Sequence, residues 1–127
     1  MSQKILIHVI KNENQRYPTV GDWEFGNDNN LVIRVSNLGN DLEGTKMNCL
    51  IAIHELVEAL LCKFNLPEIM TKQVDSFDMS HPELDEPGDD PRAPYYSQHD
   101  IATTFERIFA IALKVNWESY EKRIKEL

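Results

Sequence analysis

The stretch "CLIAIHELVEALLC", Cys49 to Cys62, is the one on which the fold turns. Apolar residues recur in it at helical rather than strand spacing. Upstream, "NDLEGTKMN" supplies cap and turn residues, and downstream Pro67 opposes continuation. The spacing therefore predicts one helix from about Gly44 or Thr45 to about Phe64. On a wheel of about 100° per residue, Leu50, Ile53, Leu56, Val57, Leu60, Leu61 and Phe64 fall in one apolar arc, joined by Cys49. His54 lies at the edge of that arc, Glu58 about 40° outside it and Glu55 about 100° outside it, in the order H-E-x-x-E.

Working outward, the N-terminal third has strand character. "KILIHVI" is β-branched and apolar, and "DWEFGNDNNLVIRVSN" holds two extended runs around a turn-rich centre. A hairpin plus one strand, read as an antiparallel sheet, is expected there. Beyond the helix, a shorter helical segment is expected from Glu68 to Met79. A further helix runs from a cap at Ser97 to about Lys114, and a last one starts at about Trp117. Residues 80–96 are Pro- and acid-rich and predict a long irregular loop. Strands followed by helices on one face give an α+β fold, and 127 residues fit a single domain, 1–127.

The formal net charge is −8, from 21 acidic and 13 basic residues, which opposes nucleic acid as a partner. The acidity concentrates at 83–90, which reads as a solvated loop. No apolar run spans a bilayer and no signal-type segment opens the chain, so neither a membrane nor export is expected, and the cytoplasm is the expected compartment. Cys49 and Cys62 lie thirteen positions apart on one helix, about 20 Å, too far to bridge. Cys49 is expected to be buried, and Cys62 falls near the edge of the polar face.

His54 and Glu58, one turn apart, place an imidazole and a carboxylate where both reach one ion. A third ligand must come from elsewhere, and the chain has only four histidines. His8 alternates with Ile5, Ile7 and Val9 and reads as a surface strand residue. His99 opens the helix "SQHDIATTFERIFAIAL", whose apolar neighbours strand Glu106. An unpaired buried carboxylate is costly, so Glu106 needs a partner. His99 is the better direct ligand, with Glu106 orienting a ligand histidine or serving as an alternative ligand. Asp75, Asp78 and His81 form a further polar set, which reads as a solvated helix face.

"NLVIRVSNLG" ahead of "IAIHELVEALL" resembles the core of a zincin metallopeptidase, in which an edge strand precedes the metal-binding helix. The resemblance covers roughly residues 20–64. It implies His54 as a ligand and Glu55 as the general base acting on water, with Glu58 replacing the second histidine of H-E-x-x-H. Zinc is the expected metal, and the carboxylate also admits manganese or magnesium. "HELVEALLC", "VDSFD" and "EPGDDPRAPYYSQHDIATTFERI" resemble a family of small phage and prophage proteins, a likeness that implies no particular activity. Three functions follow as expectations. The first is a metal-dependent hydrolase of peptides or small molecules. The second is a non-catalytic phage accessory or host-interaction protein with a structural metal or buried polar network. The third is a phosphate-ester hydrolase whose Glu55, Glu58, Asp75 and Asp78 surround Mg²⁺.

Overall fold

The computed structural model describes residues 2–127, apart from the side chains of residues 68–70. Three strands, β1 (Ile5–Ile10), β2 (Gly21–Phe25) and β3 (Leu31–Ser36), precede four helices. The helices are α1 (Leu42–Asn65), α2 (Glu68–Ser80), α3 (Tyr96–Ala112) and α4 (Trp117–Lys125). The fold is α+β, as the order of strand and helix patterns predicts.

The sheet corrects one expectation. Its order is β1-β3-β2; β2 and β3 form the expected antiparallel hairpin, but β1 runs parallel to β3. Alternation of apolar residues is the same for either direction, so sequence pattern cannot choose between them. What makes β1 parallel is residues 11–20, which cross the end of β3 and reach its far side. That crossing is fastened to Ser36, wholly buried, whose Oγ donates to Asn12 Oδ1 at 2.8 Å and accepts from Gln15 Nε2 at 3.0 Å. Both outer strands thus have a free edge among the described residues, and the edge of β2 is the one beside the site described below.

Leu31, Ile33 and Val35 of β3 face Met47, Leu50 and Ile51 of α1, and all six are nearly inaccessible. Burial of such side chains stabilises by about 1.5–3 kcal/mol each. Ile5, Ile7 and Val9 lie on the same sheet face but stay half-exposed, because α1 crosses β2 and β3 and leaves β1 uncovered. His8 is exposed, as expected of a surface strand residue.

The α1 helix begins earlier than its periodicity alone predicts, because Asp41 caps it by accepting from the Gly44 N–H at 3.1 Å. Arg123 of α4 grips the same carboxylate through both guanidinium nitrogens at 2.9 Å, tying the C-terminus to the start of α1. Ser97 is not the cap of α3; the helix starts one residue earlier, after Tyr95, with no side-chain cap. The two cysteines also exchange their expected places: Cys49 is exposed, whereas Cys62 is buried and its thiol pKa is pushed up by desolvation. The stripe of α1 that faces inward runs through Met47, Ile51, Glu58 and Cys62, to one side of the apolar arc.

Candidate metal centre

Burial on α3 is inverted relative to an ordinary amphipathic helix, and α1 buries polar residues beside its apolar ones. The inward stripe of α1 includes His54, Glu55 and Glu58, all under a tenth exposed, while Leu60 and Phe64 face out. The inward stripe of α3 is His99, Ala102, Glu106 and Ala110, while Ile101, Phe105, Ile108 and Ile111 face out. The two helices pack against each other, with Ala102 and Ala110 allowing close approach, so the five charged or ionisable positions meet. The border position expected for Glu58 and the more solvated one expected for Glu55 are corrected accordingly: both are core residues.

At the meeting point, three donor atoms form a tight triangle. His54 Nε2 lies 3.1 Å from Glu58 Oε2 and 3.1 Å from His99 Nδ1, and His99 Nδ1 lies 2.8 Å from Glu58 Oε2. A tetrahedral zinc ion with bonds of about 2.0–2.1 Å sets its donors about 3.3 Å apart, so the triangle needs to open by only a few tenths of an ångström. Each of the three side chains is held from behind. His54 Nδ1 lies 2.8 Å from Glu106 Oε1, a contact that an Nδ1–H makes as donor and that turns Nε2 toward the other two atoms. Glu58 Oε1 accepts from Trp23 Nε1–H at 2.9 Å, aiming Oε2 at the histidines. His99 Nε2 lies 3.1 Å from Asp89 Oδ1, and the Gly88 backbone rests on the other side of the ring. A Cβ at Gly88 would stand 2.4 Å from His99 Cγ, so no side chain fits there.

The electrostatics follow from this crowding. Burial opposes charge on His54, yet Glu106 and Glu58 outweigh it and its pKa stands well above the ordinary imidazole value. The same contest raises His99, with Glu58 as its main support. Burial pushes Glu58 up, but the two imidazoles prevail and hold it at about 2. Glu55 goes the other way: burial, then the neighbouring Glu58, raise its pKa well above the carboxylate range. Glu55 has no hydrogen-bond partner among the described residues and lines the cleft, packed so close to β2 that a Cβ on Gly21 would stand 2.5 Å from its Oε1.

The cleft has a volume of about 70 Å³, several times the ~10–15 Å³ a single water needs. Its walls come from β2, α1, the loop at 85–88 and α2. The α2 carboxylates, expected to be a solvated face, are instead engaged. Asp75 pairs with Arg16 at 3.0 Å, and Asp78 accepts from the hydroxyls of Tyr17, at 3.2 Å, and Tyr95. Burial and nearby Glu58 push Asp78 up to about 6, against the pull of the two hydroxyls. These engagements leave Asp75 and Asp78 outside any close set of ligating atoms with Glu55 and Glu58. Among the described residues, two sets of three ligating atoms lie within 4.8 Å of one another: His54, Glu58 and His99, and Glu86, Asp89 and His99. His81 is elsewhere, bonded to Glu83 at 2.8 Å.

Of the residues singled out from sequence, His54, Glu55, Glu58, His99 and Glu106 are therefore brought to one place, with Glu106 behind His54 rather than at the centre. Trp23, Tyr17, Gly88 and Asp89 escaped that reading. The acidic loop 83–90, read as solvated, contributes Gly88 and Asp89 to the support of His99. A signal was available in "EPGDDP", where a glycine and two prolines interrupt the charge run and shape a turn rather than a tail. Among the described residues, no helix is long and apolar enough to cross a membrane. No family model, curated protein or solved structure matches the chain.

Proposed function

We propose that the chain is a metal-dependent hydrolase in which His54, Glu58 and His99 hold one divalent ion and Glu55 is the general base. One observation carries the reading. His54 is backed at Nδ1 by Glu106, so its Nε2 is aimed at a carboxylate oxygen and a second imidazole nitrogen, three potential ligand atoms turned to one point. These atoms lie within 2.8–3.1 Å of one another, and the protons that the raised proton affinity of His54 and His99 holds among them are those a divalent ion would displace. Protons on the two imidazoles serve Glu58 but set the two ring nitrogens against each other at 3.1 Å; one divalent ion would serve all three atoms.

The donor set argues for chemistry rather than for a structural role. Two histidines and one glutamate with an open fourth position are the ligands of catalytic zinc sites, whereas structural sites close all four. The departure at Glu58 is thus offset by His99, which restores the second imidazole from another helix. Two imidazoles favour zinc over manganese or magnesium. An ion held there supplies Lewis acidity and brings the pKa of a water towards neutrality.

Glu55 faces the cleft without a hydrogen-bond partner, and beside an ion held by His54, Glu58 and His99 its carboxylate would take a proton from the attacking water and pass it to a leaving group. The free edge of β2 supports a peptide as substrate. Gly21, Asp22 and Trp23 border the cleft, where an extended chain can add as a strand with its backbone beside Glu55.

The test is metal analysis of zinc-loaded protein combined with mass-spectrometric screening of a peptide library. One zinc per chain is expected, lost in His54→Ala. Glu55→Gln should keep the zinc and lose about 10²–10⁴-fold in turnover. A non-catalytic accessory protein would turn over nothing in either form, and a chain without one bound ion would end the reading.

A further inference from the structure

Resting on the hydrolase reading, we propose that the cleft selects a cationic group: a peptide whose arginine or lysine side chain lies next to the bond to be cut. The cleft is lined by eight carboxylates and, among the described residues, by no lysine or arginine. Most of these charges have assigned duties. Asp22 and Asp75 are paired with Arg16, at 2.6 and 3.0 Å, from outside the cleft. Glu58 and Glu106 belong to the metal centre. Glu55, Asp78, Asp85 and Glu86 then remain with no lysine or arginine partner among the described residues.

Glu55, only 8% exposed, makes no hydrogen bond and opens into this same space, so the floor of the cleft presents an unpartnered carboxyl group while Asp85 and Glu86 stand at its exposed rim. The remaining carboxylates stand on two walls, Asp78 on α2 and Asp85 and Glu86 on the facing loop. Tyr17, Trp23 and Tyr95 supply aromatic surface between them. Carboxylates flanking aromatic faces suit a guanidinium or ammonium carried on an aliphatic stem. An anionic side chain entering the same space meets like charges at low effective dielectric and is rejected.

The experiment measures binding of arginine amide, leucine amide and glutamate amide to the zinc-loaded full chain by calorimetry at low ionic strength, with zinc stoichiometry measured on the same samples. Arginine amide should bind about tenfold tighter than leucine amide, glutamate amide more weakly still, and the preference should fall as salt is added. Asp78→Asn should reduce the preference several-fold. Asp85→Asn, a change on an exposed loop that leaves folding alone, should reduce it less. Equal binding of the three amides, absence of arginine amide binding, or a second equivalent of zinc lost in Asp78→Asn would each overturn the proposal. Should the arginine preference hold while one zinc per chain is not found, the hydrolase reading falls and the cation selectivity stands.

Discussion

Thermal stability with and without zinc is the most direct probe of the triangle formed by His54, Glu58 and His99. An ion that binds only the folded chain stabilises it by RT ln(1 + [L]/Kd), about 4.1 kcal/mol at a thousand times Kd. With an unfolding entropy of about 2.1 cal/mol/K per residue over 127 residues, that is a rise in melting temperature of about 15 °C. Removing one ligand, as in His99→Ala, and weakening binding about a thousandfold leaves RT ln 2, about 0.4 kcal/mol, or about 1.5 °C. The pH dependence has opposite signs in the two forms. His54 and His99 have raised pKa values in the folded metal-free chain. Their contribution is therefore fully present below about pH 6.5 and is lost as pH climbs through the folded values. Zinc competes with those same protons, so its stabilisation grows over the same range. Differential scanning calorimetry from pH 6 to 8.5, in chelator and in excess zinc, should show metal-free stability falling and the zinc increment widening. An equal increment in the His54→Ala, His99→Ala double variant, or an increment that shrinks with rising pH, would refute the assignment.

Three further substitutions separate the supports of the site. Glu106→Gln removes the carboxylate behind His54 and should weaken zinc binding by about 10–100-fold in competition with a chromophoric chelator, while a Glu106 that only fills space would leave affinity unchanged. Gly88→Ala places a methyl group 2.4 Å from His99 Cγ and should displace the ring or the turn at Pro87–Asp89, lowering zinc affinity by about tenfold or more; unaltered affinity would show that the turn yields freely. Trp23→Phe keeps the aromatic body but removes the donor to Glu58 Oε1. It should cost about 1–3 kcal/mol in urea denaturation of the metal-free protein, the usual penalty for a buried acceptor left unpaired, and a change below about 0.5 kcal/mol would mean that water replaces the indole.

Element order, and hence the α+β class, is legible in the chain because it rests on local pattern. The hairpin announces itself in "GNDNN", and the end of α1 in Pro67. The direction of β1 is not local: it depends on Gln15 and Asn12 reaching Ser36 across the end of β3, and nothing in "KILIHVI" records that. The start of α1 lay hidden for a related reason. Asp41 is an ordinary cap residue, but its hold on Gly44 is reinforced by Arg123, more than eighty positions away.

The site is legible where chemistry is conspicuous and hidden where geometry does the selecting. Glu106 betrays itself as a carboxylate in an apolar helix, and His54 and Glu58 as a pair one turn apart. The rotation of α1 is what the wheel misjudges, since it assigns the core to the largest apolar arc. The side of α1 carrying His54, Glu55 and Glu58 is instead turned in, and α3 likewise buries His99 and Glu106 while Ile108 and Ile111 face out. Hydrophobic burial alone would favour the opposite rotation of α3, and would not turn the polar side of α1 inward beside Met47, Leu50 and Ile51, since burying a carboxylate or imidazole costs several kcal/mol unless it is matched. The matching is what reverses the preference: Glu106 with His54, Trp23 with Glu58, Asp89 and the bare backbone of Gly88 with His99. Helices held in this orientation leave large apolar side chains of α3 exposed and bring five ionisable groups together. That arrangement is intelligible when those groups share an ion, because the ion's coordination energy then enters the stability of the fold itself.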